Sequence, residues 1–306
     1  MMFLLMVLGF VLTHVNWINK ETKPLLTNLT VTLAVPCAIF NNMLSAVNKD
    51  LLAIAGKMLI APACTVISIY LLGTLLAKVL RMKDNRRGTF AAMCGCPNTI
   101  FVGLPVVTAL FGDVGVPAAM FFFICQTTVF WSVGQSGIQA DGSGHVQQKM
   151  SLVGILKKIF SLNVIIILST VALVMLNIRV PSVITQTTKS IANLSTPMSL
   201  LFSGNAMYEI YKQFGLRGLM IRRDEALVIL TRFLIAPAAA FGFCLLFGIG
   251  GIERSVFILM ASMPTMTQTV ILSGKYGADR DFAAITFFWT TCFTMIVIPV
   301  LMSILG

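Results

Sequence analysis

The amino-acid sequence predicts an all-α membrane protein in which ten transmembrane helices form two inverted repeats of five. Three observations support this fold class. Of the 306 residues, 57% are hydrophobic and 11% are charged, whereas a soluble domain carries roughly 25% charged residues. Apolar stretches recur at lengths near the ~20 residues that a helix needs to cross a bilayer. A short motif also occurs in both halves of the chain.

Short polar joints separate the apolar stretches, which are too long and too uniformly apolar for the alternating strands of a β-barrel. They leave no stretch long enough for a separate soluble domain. The ten predicted spans cover residues 2–18, 25–46, 51–79, 88–111, 115–138, 151–176, 183–208, 223–249, 254–275 and 281–305.

The positive charges indicate how the chain is oriented. The net charge is +11, and when the loops are assigned alternately to two faces, most of the 22 Lys and Arg residues fall on one face. Because positively charged loops stay in the cytoplasm, this face is predicted to be cytoplasmic and both termini to lie outside. The attraction of these Lys and Arg residues to anionic membrane lipid is enough to explain the positive net charge, so no nucleic acid partner is expected.

The second half of the chain repeats the first. The segment "KMLIAPA", residues 57–63 in span 3, matches "RFLIAPA", residues 232–238 in span 8. Five spans in each half is an odd number, so the second copy enters the membrane from the opposite side. We therefore predict that 1–138 is the first repeat, 139–150 a cytoplasmic linker and 151–306 the inverted second repeat. Inverted repeats of this kind favour a protein that works by alternating access.

Spans 4 and 9 each contain a proline where an unbroken helix is expected. Pro97 lies in "CGCPNTIFVGLP" and Pro264 lies in "ASMPTMTQT". Unpaired backbone groups cost several kcal/mol in lipid, so helix breaks are tolerated only where they are buried in protein or line a cavity. Matching breaks in two repeats indicate a substrate site. The alternative is a pair of proline kinks whose hydroxyls bond back to their own helices.

Polar side chains at and near the breaks are the candidates for substrate binding. A half-helix that begins after a proline presents N–H groups at the positive end of its dipole, where an anion can bind. All Asp and Glu residues are predicted to lie in loops or at span ends, which leaves no buried acid for a cation and favours an anionic substrate. The candidates are Cys96, Pro97, Asn98, Thr99, Gln126, Pro264, Thr265, Thr267, Gln268, Asn41 and Asn205.

Two cations precede the repeated motif inside their spans. A cation at the centre of a span costs roughly 2.5–3.5 kcal/mol, which invites a functional explanation. Lys57 and Arg232 lie near predicted span ends, where long side chains can snorkel to the interface or pair structurally. The alternative is that they attract or balance an anionic substrate.

The sequence favours no enzyme, metal centre or primary pump. His14 and His145 lie far apart, and the seven cysteines form no CxxC pair, so neither a metal nor a cofactor is expected. A membrane-embedded enzyme would need a nucleophile with a base, or a metal set, and neither is evident. No GxxxxGK[ST] phosphate-binding loop is present. A channel is the remaining alternative to a carrier.

The segment "CPNTIFVGLP", residues 96–105, closely resembles the Pro-Asn-Thr…Gly-x-Pro crossover of the auxin efflux carrier family, which includes plant PIN carriers and bacterial organic-acid permeases. The resemblance covers essentially the whole chain, including "LAVPCAIFNN" in span 2. It implies a fold similar to that of bile-acid/sodium symporters, in which broken helices 4 and 9 cross over. Spans 1, 2, 6 and 7 would form a scaffold, often dimeric, and spans 3, 4, 5, 8, 9 and 10 a transport domain that moves as an elevator.

The resemblance also implies roles and a substrate class. Asn98 would contact the substrate, flanked by Pro97 and Thr99, with Pro264 as the opposite crossover proline. The segment "ALFGDVGVPAAMFFFICQTTVFWSVG" looks most like permeases for malate and related carboxylates. The protein would then be a carrier of small organic anions in the cytoplasmic membrane of a bacterium.

Sulfur-containing side chains lie beside both prolines, where a site dedicated to dicarboxylates would be expected to have more polar residues. Cys96 precedes the first proline, and Met263 and Met266 flank the second. These residues make the site less polar, so an auxin-like or other apolar monocarboxylate is the alternative substrate.

Overall fold

All regular elements in the described part of the chain are helical, as the sequence predicts. The structure is a computed structural model, and it describes residues 2–19, 21–46, 55–142, 162–178, 180–218 and 220–305. The predicted linker 139–150 and the start of span 6 therefore lie mostly outside the described residues.

The chain divides into two compact units. Unit 1 comprises Met1–Gly56, Ile100–Met120 and Phe160–Gly215. Its helices are α1 (Met2–His14), α2 (Thr22–Asn28), α3 (Val35–Ala46), α6 (Leu104–Phe111), α9 (Leu162–Met175), α10 (Ser182–Ala192) and α11 (Ser195–Gly218). Helix α7 (Val116–Val129) contains the boundary at Met120.

Unit 2 comprises Lys57–Thr99, Phe121–Ile159 and Leu216–Gly306. Its helices are α4 (Ala55–Val79), α5 (Arg87–Gly95), α8 (Gln135–Asp141), α12 (Arg223–Leu230), α13 (Ala236–Leu246), α14 (Gly251–Ala261), α15 (Thr267–Tyr276) and α16 (Arg280–Leu305). Each unit draws on both halves of the sequence, and the predicted repeats and moving domains stay predictions.

Four helical stretches among the described residues are long and apolar enough to cross a membrane. They are Gly56–Val79, Thr99–Asp141, Arg223–Leu246 and Arg280–Ser303. Together with the composition they make this an integral membrane protein. The stretch Thr99–Asp141 includes the second part of predicted span 4 and the whole of predicted span 5. The total of ten spans stays a prediction.

Small residues allow two helices of unit 1 to approach each other closely. A Cβ atom added at Gly9 in α1 would collide with the carbonyl oxygen of Leu201 in α11. One added at Gly204 in α11 would collide with that of Met6 in α1. Such contacts between glycines and backbone are typical of membrane helices, whose association depends on van der Waals packing.

One apolar cluster of unit 2 lies around the break that follows α5. Apolar side chains from α5, α8, α15 and the turn before α8 meet there and exclude solvent. The buried members of this cluster are Ala92, Cys96, Phe130, Ile138 and Leu272. The break is therefore buried in protein, as backbone groups without helical partners require in a membrane.

An arginine of unit 2 connects the starts of three helices. Arg86, just before α5, donates from Nη1 to Asp224 Oδ2 at 2.7 Å and from Nη2 to Asp279 Oδ2 at 2.5 Å. Asp224 lies in the first turn of α12, and Asp279 precedes α16. The guanidinium also lies 5.0 Å from the centre of the Phe282 ring. This network stabilises unit 2 where its helices begin.

Two carboxylates are buried, which corrects the expectation that the chain has no buried acid. Asp141 is 6% exposed and Glu225 is 2% exposed. Asp141 accepts hydrogen bonds from the backbone N–H groups of Gly88 and Thr89 at 2.8 and 2.6 Å, and Glu225 accepts one from the Arg222 N–H at 2.9 Å. Both carboxylates therefore satisfy N–H groups at helix starts, for which an acid is well suited.

Candidate functional site

The helices at both prolines are interrupted. Helix α5 ends at Gly95, and helical structure resumes at Thr99 with a π-helical turn that leads into α6. Helix α14 ends at Ala261, and α15 begins at Thr267. Proline lacks the N–H donor of a regular helix and its ring clashes with the preceding turn, so each break follows from local chemistry.

The two breaks lie against each other. Pro97 and Thr265 pair as a single antiparallel bridge, and the Asn98 N–H donates to the Pro264 carbonyl at 2.7 Å. Backbone groups released by one break are thus partly satisfied by the other. We call the segments 96–99 and 262–267 together the crossover.

Polar side chains of the crossover bond from one segment to another. Asn98 Nδ2 donates to Thr267 Oγ1 at 3.2 Å, and Thr99 Oγ1 donates to Gln126 Oε1 at 3.1 Å. The amide nitrogen of Gln126, Nε2, also donates to the sulfur of Met266 at 3.2 Å. Simple kinks would direct these groups to their own helices, whereas here they join segments that are distant in sequence. The structure therefore brings Asn98 and Thr99 of span 4, Gln126 of span 5 and Thr267 of span 9 together.

Exposure differs across the crossover. Asn98 and Thr99 are each 2% exposed and Gln126 is fully buried, while Thr267 and Gln268 are partly exposed. The α15 side is therefore the more accessible in this conformation. No group of three or more His, Cys, Asp or Glu side chains suited to a metal occurs within the described ranges.

Thr290 in α16 is a contact that the sequence analysis missed. Its Oγ1 accepts a hydrogen bond from the Thr265 N–H at 3.2 Å and lies 3.0 Å from Thr265 Oγ1. Thr286, Thr290 and Thr294 recur at every fourth residue and are all buried. This spacing puts them on one face of a helix, which was the signal available in the sequence.

We expect Thr290→Val to lower the free energy of unfolding by about 1–3 kcal/mol, because the buried N–H and hydroxyl of Thr265 lose their partner. The adjacent Thr291→Val is the matched control. Thr291 Oγ1 bonds only to the Phe287 carbonyl of its own helix among the contacts described, so its loss should be nearly neutral. Thermal unfolding of the purified variants measures the difference, and equal stabilities would contradict the role of Thr290.

Arg232 is buried at the crossover. Its side chain is 1% exposed, and it donates four hydrogen bonds to three backbone carbonyls. Nη1 bonds to Cys94 at 2.9 Å, Nη2 to Ala261 at 2.6 Å and to Met263 at 2.7 Å, and Nε to Met263 at 3.0 Å. The prediction that Arg232 snorkels to the membrane interface is therefore wrong. The side chain instead pairs structurally, with backbone carbonyls.

The helix geometry around the two repeated cations differs. Arg232 lies in a π-helical turn, Thr231–Ile235, that precedes Pro237. A π-helical turn accommodates a proline, which has no N–H to donate and whose ring needs space in the preceding turn. Lys57 precedes Pro62 within an ordinary helix, in the first described turn of α4, and is exposed. The cations that precede the two copies of LIAPA thus lie in different surroundings.

The remaining two candidates belong to unit 1. Asn41 donates to the Cys37 carbonyl at 2.9 Å and lines a cavity of ≈ 370 Å³ in that unit. Asn205 is 1% exposed and donates to Thr13 Oγ1 at 3.1 Å, while its Oδ1 has no partner among the described residues. Neither is part of the crossover.

Comparison with known proteins gives a consistent assignment. A family model described as "Membrane transport protein" matches residues 1–302. An uncharacterized transporter of Methanocaldococcus jannaschii is 24% identical over 300 residues, which cover 96% of this chain and 94% of the relative. An uncharacterized transporter of Methanothermobacter thermautotrophicus is 23% identical over 303 residues, with 96% and 93% of the two chains covered.

Proposed function

We propose that this chain, which belongs to the auxin efflux carrier family of membrane transport proteins, is a secondary carrier of small organic anions. The family consists of transporters and not of enzymes. The single observation that carries the proposal is the crossover, where two half-helices begin beside each other, joined by the bond from Asn98 to Thr267. Paired breaks of this kind form the substrate sites of carriers with alternating access.

The charge of the crossover supports an anionic substrate. The first N–H groups of a helix have no acceptors within it and lie at a pole of roughly +0.5 charge. Two such poles meet at the crossover, where the helical segments begin at Thr99 and Thr267. The buried carboxylates of unit 2, Asp141 and Glu225, bond instead to N–H groups outside the crossover. A carboxylate can therefore bind without a cation as its partner.

We assign the substrate contacts to polar groups within the crossover and directly beside it. Asn98 would donate its amide to a carboxylate, with Thr99 and Gln126 holding the first half-helix and Thr267 and Gln268 the second. Cys96, Pro97, Pro264 and Thr265 would shape the backbone around the substrate. Asn41 and Asn205 of unit 1 stay predicted contacts.

Malate or a related di- or hydroxycarboxylate is the proposed substrate, because of the resemblance of residues 109–134 to malate-type permeases. The contact between Gln126 and the sulfur of Met266 favours a second candidate, an auxin-like or other apolar monocarboxylate. A thermal-shift series of carboxylates that differ in chain length and charge separates the two. The substrate should raise the Tm in a saturable manner.

The transport cycle is proposed from the family fold. Ten spans in two inverted repeats would place both termini outside the cytoplasmic membrane of a bacterium. The transport domain of spans 3, 4, 5, 8, 9 and 10 would move as an elevator against a scaffold of spans 1, 2, 6 and 7, through which two copies would associate. The crossover would then open to each side of the membrane in turn, without ATP.

Counterflow tests the proposal. Proteoliposomes loaded with unlabelled malate should take up external labelled malate several times faster than empty ones, because a carrier returns faster with substrate bound. An anion channel would instead give a voltage-driven current without this stimulation from the other side. Substrate chemistry with product formation, and no counterflow, would indicate a membrane-embedded enzyme.

If counterflow is present with an apolar monocarboxylate and absent with malate, the carrier assignment holds and the second substrate is correct. Absence of counterflow with every carboxylate in the series would contradict the carrier proposal.

A further inference from the structure

The environment of Arg232 has the chemistry of a cation site. Its guanidinium is bound by carbonyl oxygens of Cys94, Ala261 and Met263, at 2.6–3.0 Å. Cys94 lies in the last turn of α5, Ala261 is the last residue of α14, and Met263 lies in the break that follows. Carbonyls of unwound backbone and of half-helix C-termini are the groups with which secondary transporters bind coupling sodium ions.

The partial negative charges of the helix ends around Arg232 add up to about one unit charge, which one cation neutralises. Each helix C-terminus carries roughly −0.5 charge, so the ends of α5 and α14 together offset about one cation. No carboxylate of the described ranges lies within ion-pair distance of Arg232. The guanidinium is thus neutralised by backbone dipoles, as a bound metal cation would be.

The side chain also fills the available space. Arg232 is 1% exposed, and the gap that it lines with Gly95 and Ala261 has no room for a water molecule. A free cation could enter only if the guanidinium left. The planar fork of arginine supplies several donors in fixed directions and remains charged, whereas a free ion must be bound from solution.

We propose that the guanidinium of Arg232 is a resident cation that takes the position of a coupling sodium ion at the crossover. The guanidinium then permanently neutralises the negative C-terminal ends of α5 and α14. The positive N-terminal ends of the helical segments that follow the two breaks remain available for the substrate. Substrate binding and transport therefore do not require sodium. The statement about transport rests on the proposed carrier function, while the statement about the cation position does not.

The first experiment uses the wild-type protein and requires no variant. Thermal unfolding of purified protein is followed while sodium chloride is replaced by choline chloride at constant ionic strength. We expect no change in Tm, because the guanidinium of Arg232 already occupies the proposed sodium position. A saturable, sodium-specific rise in Tm that lithium or choline does not reproduce would overturn the proposal.

The second experiment removes the resident cation. Arg232→Ala should lower the Tm by about 5–10 °C, because three buried carbonyls lose charged donors. Millimolar methylguanidinium should restore part of this loss in the variant and none in wild type, since it can occupy the vacated position. Lys57→Ala, which removes the exposed cation of the other repeat, is the matched control and should show neither effect.

A third variant covers the case in which Arg232→Ala does not fold. Arg232→Lys keeps the charge and loses the fork, so it should be folded with a Tm between those of wild type and Arg232→Ala. If Arg232→Lys were as unstable as the alanine variant, or if methylguanidinium had the same effect on Arg232→Ala and on Lys57→Ala, the resident cation would be refuted.

Transport separates this proposal from the proposed function. Counterflow in proteoliposomes should proceed at the same rate with sodium and with choline on both sides. Sodium-dependent counterflow would refute the resident cation and leave the carrier function standing. Absence of counterflow together with the expected thermal shifts would refute the carrier function and leave the cation position standing.

Discussion

Replacing Asn98 with alanine is expected to reduce carboxylate counterflow by about 10- to 100-fold. A hydrogen bond to a charged group contributes about 1.5–3 kcal/mol, and each 1.4 kcal/mol corresponds to a factor of about ten. The variant loses the amide that bonds to Thr267 and that we propose to bind the carboxylate. Initial rates at saturating and subsaturating substrate, in proteoliposomes with equal protein content, measure the loss.

The fold should survive this substitution. The backbone N–H of Asn98 keeps its bond to the Pro264 carbonyl, and we expect the Tm to fall by no more than about 4 °C. Gln186→Ala, which removes an exposed amide from α10, is the control and should transport as wild type does. Wild-type counterflow in a folded Asn98→Ala variant would place the substrate site elsewhere.

Replacing Arg86 with alanine is expected to destabilise the protein by about 3–5 kcal/mol. The substitution leaves two carboxylates, Asp224 and Asp279, with side-chain exposures of 19% and 15%, without their cation. The ring of Phe282 also loses its contact with the guanidinium. The Tm should fall by about 10 °C, with the size of the change read from thermal unfolding in detergent.

The neighbouring arginine provides the control for this prediction. Arg87 pairs with Asp84, and their side chains are 47% and 89% exposed, so Arg87→Ala should cost less than about 1 kcal/mol. Arg86→Ala with the same Tm as Arg87→Ala would show that the network does not stabilise unit 2.

Local chemistry predicted several features of the site. Pro97 and Pro264 interrupt their helices because proline cannot continue the hydrogen-bond ladder, wherever the rest of the chain lies. Asn98 and Thr267 were predicted to bind substrate because they are polar and lie beside these breaks. The first N–H groups of the helical segment after a break have no acceptor within that segment. Thr290 was missed, although its spacing of four from Thr286 and Thr294 marks a polar helix face, because that spacing does not say what the face contacts.

Arg232 shows where sequence reasoning ends. Its counterpart Lys57 precedes the same LIAPA motif, and counting residues from a span end suggested similar depths for both. The structure buries one and exposes the other, because the π-helical turn Thr231–Ile235 alters the helix around Arg232 and carbonyls from α5 and α14 surround its side chain. Those carbonyls are separated from Arg232 by 138 and 29 residues in the chain.

The sequence by itself determined that this protein is helical, lies in a membrane and breaks its helices at Pro97 and Pro264. These properties follow from composition and from the covalent structure of proline, which act within a few residues. Only the tertiary structure decided that the breaks lie against each other and that Arg232 bonds to the carbonyls beside them. Backbone carbonyls are the same in every residue, so no sequence pattern distinguishes the ones that bind a buried guanidinium.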